Sequence, residues 1–426
     1  MDPFVIGVIC LVSLLVLIGA RVPIGVSLVA VSFLGLWAIA GWRPAMSLVS
    51  TIPYASTASW TLSSIPMFLL MGYLAFHSGL TRGLFEAARV WWGWMPGGLA
   101  VASLAGAGGF AAVSGSSVAC SAAIGRIAIP EMHRQNYDLR LATGSVAAGG
   151  TIGALIPPSI ILILFGIQSN SSINDLFLGG LILGLASLAF YILAVLAYWL
   201  KNPERLPRAE PGPKGERWKK TVEIWPVLLL IVTVLGGLFA GLFTATEAGA
   251  FGAFMTLVIG VACRTLTWSL FRESLVDTVM AAGALFIIAF GANLFTKLVA
   301  ISGISHEVSQ FVEGLGLGAN GLLVMIVLIY LMLGMFLEPI GALLLTLPLF
   351  LPLIGLHGID KIWFGLLVAK LLEIGMITPP VGLNVFVIHS VARDYVKLEQ
   401  IFQGILPFLL ADLLLVALML ATRTFF

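Results

Sequence analysis

Ser114-Gly115-Ser116-Ser117 gathers hydroxyl groups and a glycine into four adjacent positions of an otherwise apolar chain, and Gly153, Pro157 and Pro158 follow downstream. The same punctuation returns at one constant offset: Pro130 with Pro352, Asp138 with Asp360, Gly153 with Gly375, and Pro157-Pro158 with Pro379-Pro380. A glycine followed by a double proline breaks the hydrogen-bond ladder of a helix and exposes carbonyl oxygens that have no intrahelical partner. Helix C-terminal ends carry partial negative charge, so such breaks suit a small hard cation such as sodium. Ser114, Ser116 and Ser117 can add hydroxyl oxygens opposite the break at 153–158, and Glu338 and Thr378 can do so around 375–380. Glycine at these points also lets two backbones approach closely.

Competing readings of the same residues are weaker. A nucleophilic Ser116 or Ser117 needs a base within hydrogen-bond reach, and the five histidines all fall near predicted helix ends, away from the serine run. Glu338 reads equally as a cation ligand and as a helix-capping carboxylate. Glu247, just after Thr244 and Thr246, reads as a first-turn acid. Cys10, Cys120 and Cys263 lie scattered in apolar runs without metal-ligand spacing and read as packing residues.

The elements that must hold these groups are membrane helices. With 60% hydrophobic and 10% charged residues, and a mean hydropathy of +1.08, the chain is excluded from the soluble globular class. The run 4–20 has no basic flank or cleavage site, which predicts a retained helix. The longest polar stretch, 201–222, is basic and proline-containing, lies between the two copies, and reads as a cytoplasmic linker. Threading spans of about 20 apolar residues outward from it gives a first repeat over 1–200: scaffold helices 4–77, an interfacial helix 81–95, a re-entrant hairpin 97–130, a broken helix 140–167 and a helix 176–200. The second repeat, 223–426, has scaffold helices 223–263, a helix 276–300, a hairpin 319–353, a broken helix 362–390 and a helix 401–422. On this map most Lys and Arg fall inside, and only Arg43, Lys361 and Arg423 fall outside. The two halves then have opposite sense, the N-terminus is periplasmic, and the fold class is an all-α polytopic membrane protein with inverted repeats.

At this level of detail the chain resembles the large membrane (M) subunit of the tripartite ATP-independent periplasmic (TRAP) transporters. The resemblance rests on Ser114-Gly-Ser-Ser-Val-Ala119, Ala122-Ala-Ile-Gly125 with Pro130, Gly153-Ala-Leu-Ile-Pro-Pro-Ser159, Gly334-Met-Phe-Leu-Glu338, and Glu373-Ile-Gly-Met-Ile-Thr-Pro-Pro-Val-Gly-Leu-Asn384. It implies an elevator-type, sodium-coupled importer of the bacterial inner membrane, not an enzyme. It also implies two partners, a periplasmic binding protein that delivers an organic acid and a small four-helix membrane (Q) subunit. Glu338 stands where the family pattern has Asp, and Leu371 where it has Asn.

On that reading the first sodium site comprises Ser114, Gly115, Ser116, Gly153, Ile156 and Pro158, and the second Gly334, Glu338, Gly375, Thr378 and Pro380. Substrate contacts are expected from Ser114, Ser116, Ser117, Gly150, Thr151, Thr378 and Lys370. Lys370 either faces the substrate carboxylate or neutralises Glu373, whereas Lys297, near a helix end, snorkels. A dicarboxylate, a sialic or other sugar acid and a sulfonate are all compatible with such a cavity. A stand-alone sodium/dicarboxylate symporter of related two-hairpin architecture is the alternative. The bilayer is the remaining partner, and no nucleic-acid contact is expected.

Overall fold

The structure is a computed structural model describing residues 2–207, 215–316 and 318–422, and it is all-helical over them. Arg208 and Lys214 of the linker expectation, and Arg423 of the charge map, lie outside the described residues. The first part of the chain runs α1 (Pro3–Gly19), α2 (Ile24–Ala40), α3 (Trp42–Thr57) and α4 (Ser64–His77), then the short amphipathic α5 (Arg82–Trp92). Next come α6 (Gly98–Ser114), α7 (Ser117–Arg134), α8 (Leu139–Thr151), a 3-10 turn at Ile152–Ala154, α9 (Ile160–Ser169) and α10 (Ile173–Lys201). After α11 (Glu216–Glu223), α12 (Trp225–Phe239), α13 (Ala245–Ala262), α14 (Trp268–Ser302) and α15 (Ile304–Gly314), the earlier order recurs. It does so as α16 (Ala319–Gly334), α17 (Pro339–Leu356), α18 (Lys361–Gly375), α19 (Leu383–Ala392) and α20 (Leu398–Thr422).

Local chemistry sets these boundaries. Asp138 caps α8 through Arg140 N (2.9 Å), and Asp360 caps α18 through Trp363 N (2.7 Å), so the two acids matched in sequence begin matched helices. Thr244 and Glu247 form a reciprocal capping box that starts α13, giving Glu247 a structural task. Gly115 and Gly303 adopt left-handed conformations, with φ of 63° and 75°, between consecutive helices.

Among the described residues five helices are long and apolar enough to cross a bilayer: α10, α13, α14, α17 and α20. A sharp bend of 71° separates α4 from α5, which directs α5 away from the helix before it. One group of helices forms where α14 packs on α2 and α4, and α13 on α4. The other forms where α8 packs on α6, α7 and α20, α16 on α18, α17 on α9 and α19 on α7. Contacts of α4 with α6 and of α14 with α17 join the groups.

Three differences from the sequence reading have simple causes. The helix expected at 276–300 begins at Trp268, because Thr267 accepts from Leu270 N (3.4 Å) and the charged residues of the added turns stay exposed. The stretch from Ser302 to Ala319, read as a connection, contains α15, whose apolar side buries Ile304 and Val312. His77, placed by the sequence only near a helix end, is 13% exposed and lies 2.8 Å from Asp277, a partner supplied by α14 across the group.

Candidate functional site

The first serine run forms the turn between α6 and α7. Ser114 ends α6, Gly115 reverses the chain, and Ser116 caps α7 by accepting from Ala119 N (3.4 Å). The turn abuts the break between α8 and α9, where the helix tightens at Ile152–Ala154 and Pro157–Pro158 is cis. Ser159 restarts the helix, accepting from Leu162 N and donating to Ala154 O (2.5 Å). A Cβ on Gly115 would collide with the Pro158 carbonyl, and one on Gly153 would lie 2.9 Å from the Ser116 carbonyl. Carbonyls of turn and break therefore converge across two glycines. Ser114 Oγ is buried there without a hydrogen-bond partner. The Pro158 carbonyl, an orphan hydroxyl and space that side chains would fill suit a small hard cation, and the Ser116 carbonyl, which accepts from Cys120 N (3.0 Å), keeps a second lone pair for one. The Ile156 side chain packs against Gly108 and Gly184 of α6 and α10, which leaves only its backbone to face the break.

The second turn repeats the approach with different side chains. Gly334 and Gly375 face each other so closely that a Cβ on Gly375 would sit 2.5 Å from Gly334 backbone atoms. Beyond Gly375, Thr378 donates to Ile374 O (2.6 Å), Pro379–Pro380 is cis, Pro380 is exposed, and Gly382 (φ 58°) opens α19. Glu338 occupies the cap position of α17, its carboxylate facing the N–H groups of Ile340 and Gly341. It is half-buried.

Both turns open onto one cavity of about 530 Å³. Ser114, Ser116 and Ala119 line it from the first turn, Glu338 and Ile340 from the second, and Gly72, Tyr73, Ala284 and Ile288 from α4 and α14. It lies between the two helix groups.

Other expected residues are turned elsewhere. Ser117 Oγ donates to Glu373 Oε1 (3.3 Å). Gly150 is buried against Ser117 and Ser121. Thr151 donates to Ala148 O (2.6 Å) and meets Tyr191 OH (2.9 Å). Lys370 neither neutralises Glu373 by contact nor lines the cavity. Its Nζ lies 2.6 Å from Asp412 Oδ1 and 2.9 Å from Ser187 Oγ, over the Tyr191 ring, and Tyr191 OH donates to Asp412 Oδ2 (2.9 Å). Asp412 is the partner sequence reasoning missed. Its signal was a lone acid within the apolar run of α20, which at membrane depth requires a counter-charge. Tyr191 and Ser187 carried no such signal.

Comparison with known proteins gives this geometry its setting. The chain is 33% identical over 415 residues to an isethionate TRAP transporter permease protein, DctMQ, of Oleidesulfovibrio alaskensis, covering 96% of this chain and 62% of that relative's length. It is 34% identical to a C4-dicarboxylate TRAP transporter large permease protein of Pseudomonas aeruginosa, over 87% of this chain and 85% of the relative. Identity to a sialic acid TRAP transporter large permease protein of Vibrio cholerae is 31%, over 94% and 93%. These relatives are named as transporter permeases, not as enzymes. The crystal structure of the YdaH transporter of Alcanivorax borkumensis shares the fold, with a TM-score of 0.63 at 13% identity over 89% of this chain and 88% of that one. The family model described as the tripartite ATP-independent periplasmic transporter, DctM component, matches residues 11–425. The chain belongs to that family, as its DctM component.

Proposed function

We propose that this chain is the large permease subunit of a sodium-coupled importer that moves a small organic acid across a bacterial inner membrane by an elevator motion. The observation that carries the reading is the convergence of both helix turns, each seated on a helix break, on one cavity between two helix groups. Sodium would be held by the Ser116 and Pro158 carbonyls with Ser114 at the first turn, and near Gly334, Gly375 and Glu338 at the second. A substrate acid would sit in the cavity, where the Ser116 hydroxyl and the α7 N-terminus offer hydrogen bonds to its carboxylate or sulfonate. The substrates named for the relatives, isethionate, C4-dicarboxylates and sialic acid, are all organic acids and support that class.

The elevator reading follows from the division of labour between the groups. α6–α10 and α16–α20 carry both turns and both breaks, whereas α4 and α14 of the other group contribute largely apolar walls. The charge asymmetry supports inverted repeats, re-entrant hairpins and a periplasmic N-terminus. The exposed apolar residues Val5, Ile9, Val12 and Val16 of α1, with Val232 of α12 and Phe254 of α13, would meet the small membrane subunit or lipid. A periplasmic binding protein would deliver the acid.

The test is proteoliposome uptake of an organic acid by this chain with its small subunit and binding protein. Uptake should require an inward sodium gradient and rise sigmoidally with sodium, since two matched turns bind more than one ion. Equal uptake with sodium replaced by choline would overturn the coupling. Uptake by this chain alone would overturn the tripartite assembly in favour of a stand-alone symporter.

A further inference from the structure

Glu373 is a fully buried carboxylate that the cavity does not use. It sits on the last turn of α18, where Oε1 accepts from Ser117 and Oε2 has no partner. Lys370, one turn earlier, is committed to Asp412. Two further orphans are fully buried close by, Ser121 Oγ and the whole side-chain amide of Asn384. The packing of α7 on α19 brings these groups together. A Cβ on Gly125 would lie 3.0 Å from Ile388 Cδ1, and farther along the His133 and Tyr395 rings are 4.7 Å apart, so the two helices run side by side in parallel. One turn back on each, the register puts Ser121 and Asn384 at the same level of the α7–α19 packing. Asn384 N donates to Met376 O (3.0 Å), which ties the start of α19 to the chain just beyond Glu373. Gly150 supplies the remaining space: a Cβ there would collide with Ser121 Oγ and lie 3.0 Å from the Ser117 carbonyl.

We propose that Glu373, Ser117, Ser121 and Asn384 form a sodium site distinct from the two turn-and-break contacts, buried between the first hairpin and the second break. The inference rests on the sodium-coupled reading and adds an ion to it. A carboxylate, hydroxyls, an amide oxygen and a carbonyl are hard oxygen donors, the set that takes hard cations. Buried charge without a counter-charge is strongly unfavourable. A monovalent ion neutralises the single carboxylate and gives its free oxygen and the Asn384 oxygen a partner at once. A divalent ion would leave net buried charge. Because Ser117 and Ser121 belong to the first hairpin and Glu373 and Asn384 to the second half, occupancy would clamp the two halves together.

The experiment is sodium titration of the purified chain with its small subunit, with choline holding ionic strength constant. Melting temperature and bound sodium are read for wild type, Ser121→Ala, Asn384→Ala, Glu373→Gln and the turn variant Ser116→Leu. Ser121→Ala and Asn384→Ala should move the sodium midpoint up about tenfold, the size expected for losing one contact to a charged group. Glu373→Gln should bind one sodium fewer than wild type, and Ser116→Leu should lose a different ion, so that the double variant loses both. Should Glu373→Gln fail to fold, Ser121→Ala, which removes a single oxygen, carries the decision. Wild-type midpoint and stoichiometry in folded variants would mean that only water fills the site and would overturn the inference alone. A wild type that responds to sodium no more than to choline would overturn the sodium-coupled reading itself, and the site with it.

Discussion

Ser116 shows most directly what one residue does, because its carbonyl faces Gly153, its hydroxyl caps α7, and its position borders the cavity. Ser116→Leu should abolish uptake by filling that space, whereas Ser116→Ala should retain part of it, since the carbonyl remains and only the hydroxyl is lost, with its cap worth about 1 kcal/mol and its hydrogen bond to the substrate acid. Initial uptake rates for the two variants separate backbone coordination from side-chain coordination. Glu338→Gln distinguishes ligand from cap: a ligand role predicts a raised sodium requirement, a cap role predicts lowered melting temperature with unchanged sodium dependence. Lys370 and Asp412 make the opposite kind of pair, fully enclosed and away from the cavity. Either Lys370→Met or Asp412→Leu alone should destabilise the protein by about 3–5 kcal/mol by stranding a buried charge. The double variant should recover most of that in detergent unfolding measurements and keep its uptake; a stable double variant without uptake would show that the pair carries function through its charge.

At the scale of elements, the matched turns and breaks work through glycine. Gly375 faces backbone at Gly334, which cannot yield as a flexible side chain does. Gly375→Ala should therefore cost about 1–3 kcal/mol through overpacking and raise the sodium requirement by separating α16 from α18. Unchanged melting temperature and unchanged sodium dependence would show that the contact is loose. Much of this was legible in the sequence. The double prolines located both breaks, and the helices expected from 140 and 362 begin one residue earlier, at Leu139 and Lys361. The helices that went unread, α11, α15 and the first turns of α14, are polar or amphipathic, and hydropathy does not separate such turns from connections.

For the whole molecule, orientation is the property most open to test. The charge map puts Glu204 in the cytoplasm and Asn320 on the periplasmic side, and both are exposed. Single cysteines at these positions, in a background lacking Cys10, Cys120 and Cys263, should react with an impermeant thiol reagent from opposite faces. In intact spheroplasts Asn320→Cys should label and Glu204→Cys should not. Labelling of both from one face would remove the inverted arrangement, and with it the grounds for an elevator motion.

The sequence by itself determined the class and the positions of the turns and breaks, because these follow from hydropathy, from proline's missing N–H and from glycine's small size, all properties of residues near in the chain. Only the tertiary structure decided which polar groups meet. Lys370 turns to Asp412 rather than to Glu373 three positions after it on the same helix, and Ser117 donates to Glu373 from the other half of the chain. Those pairings depend on how α7, α18, α19 and α20 pack, and packing between distant segments leaves no periodicity for a single sequence to display.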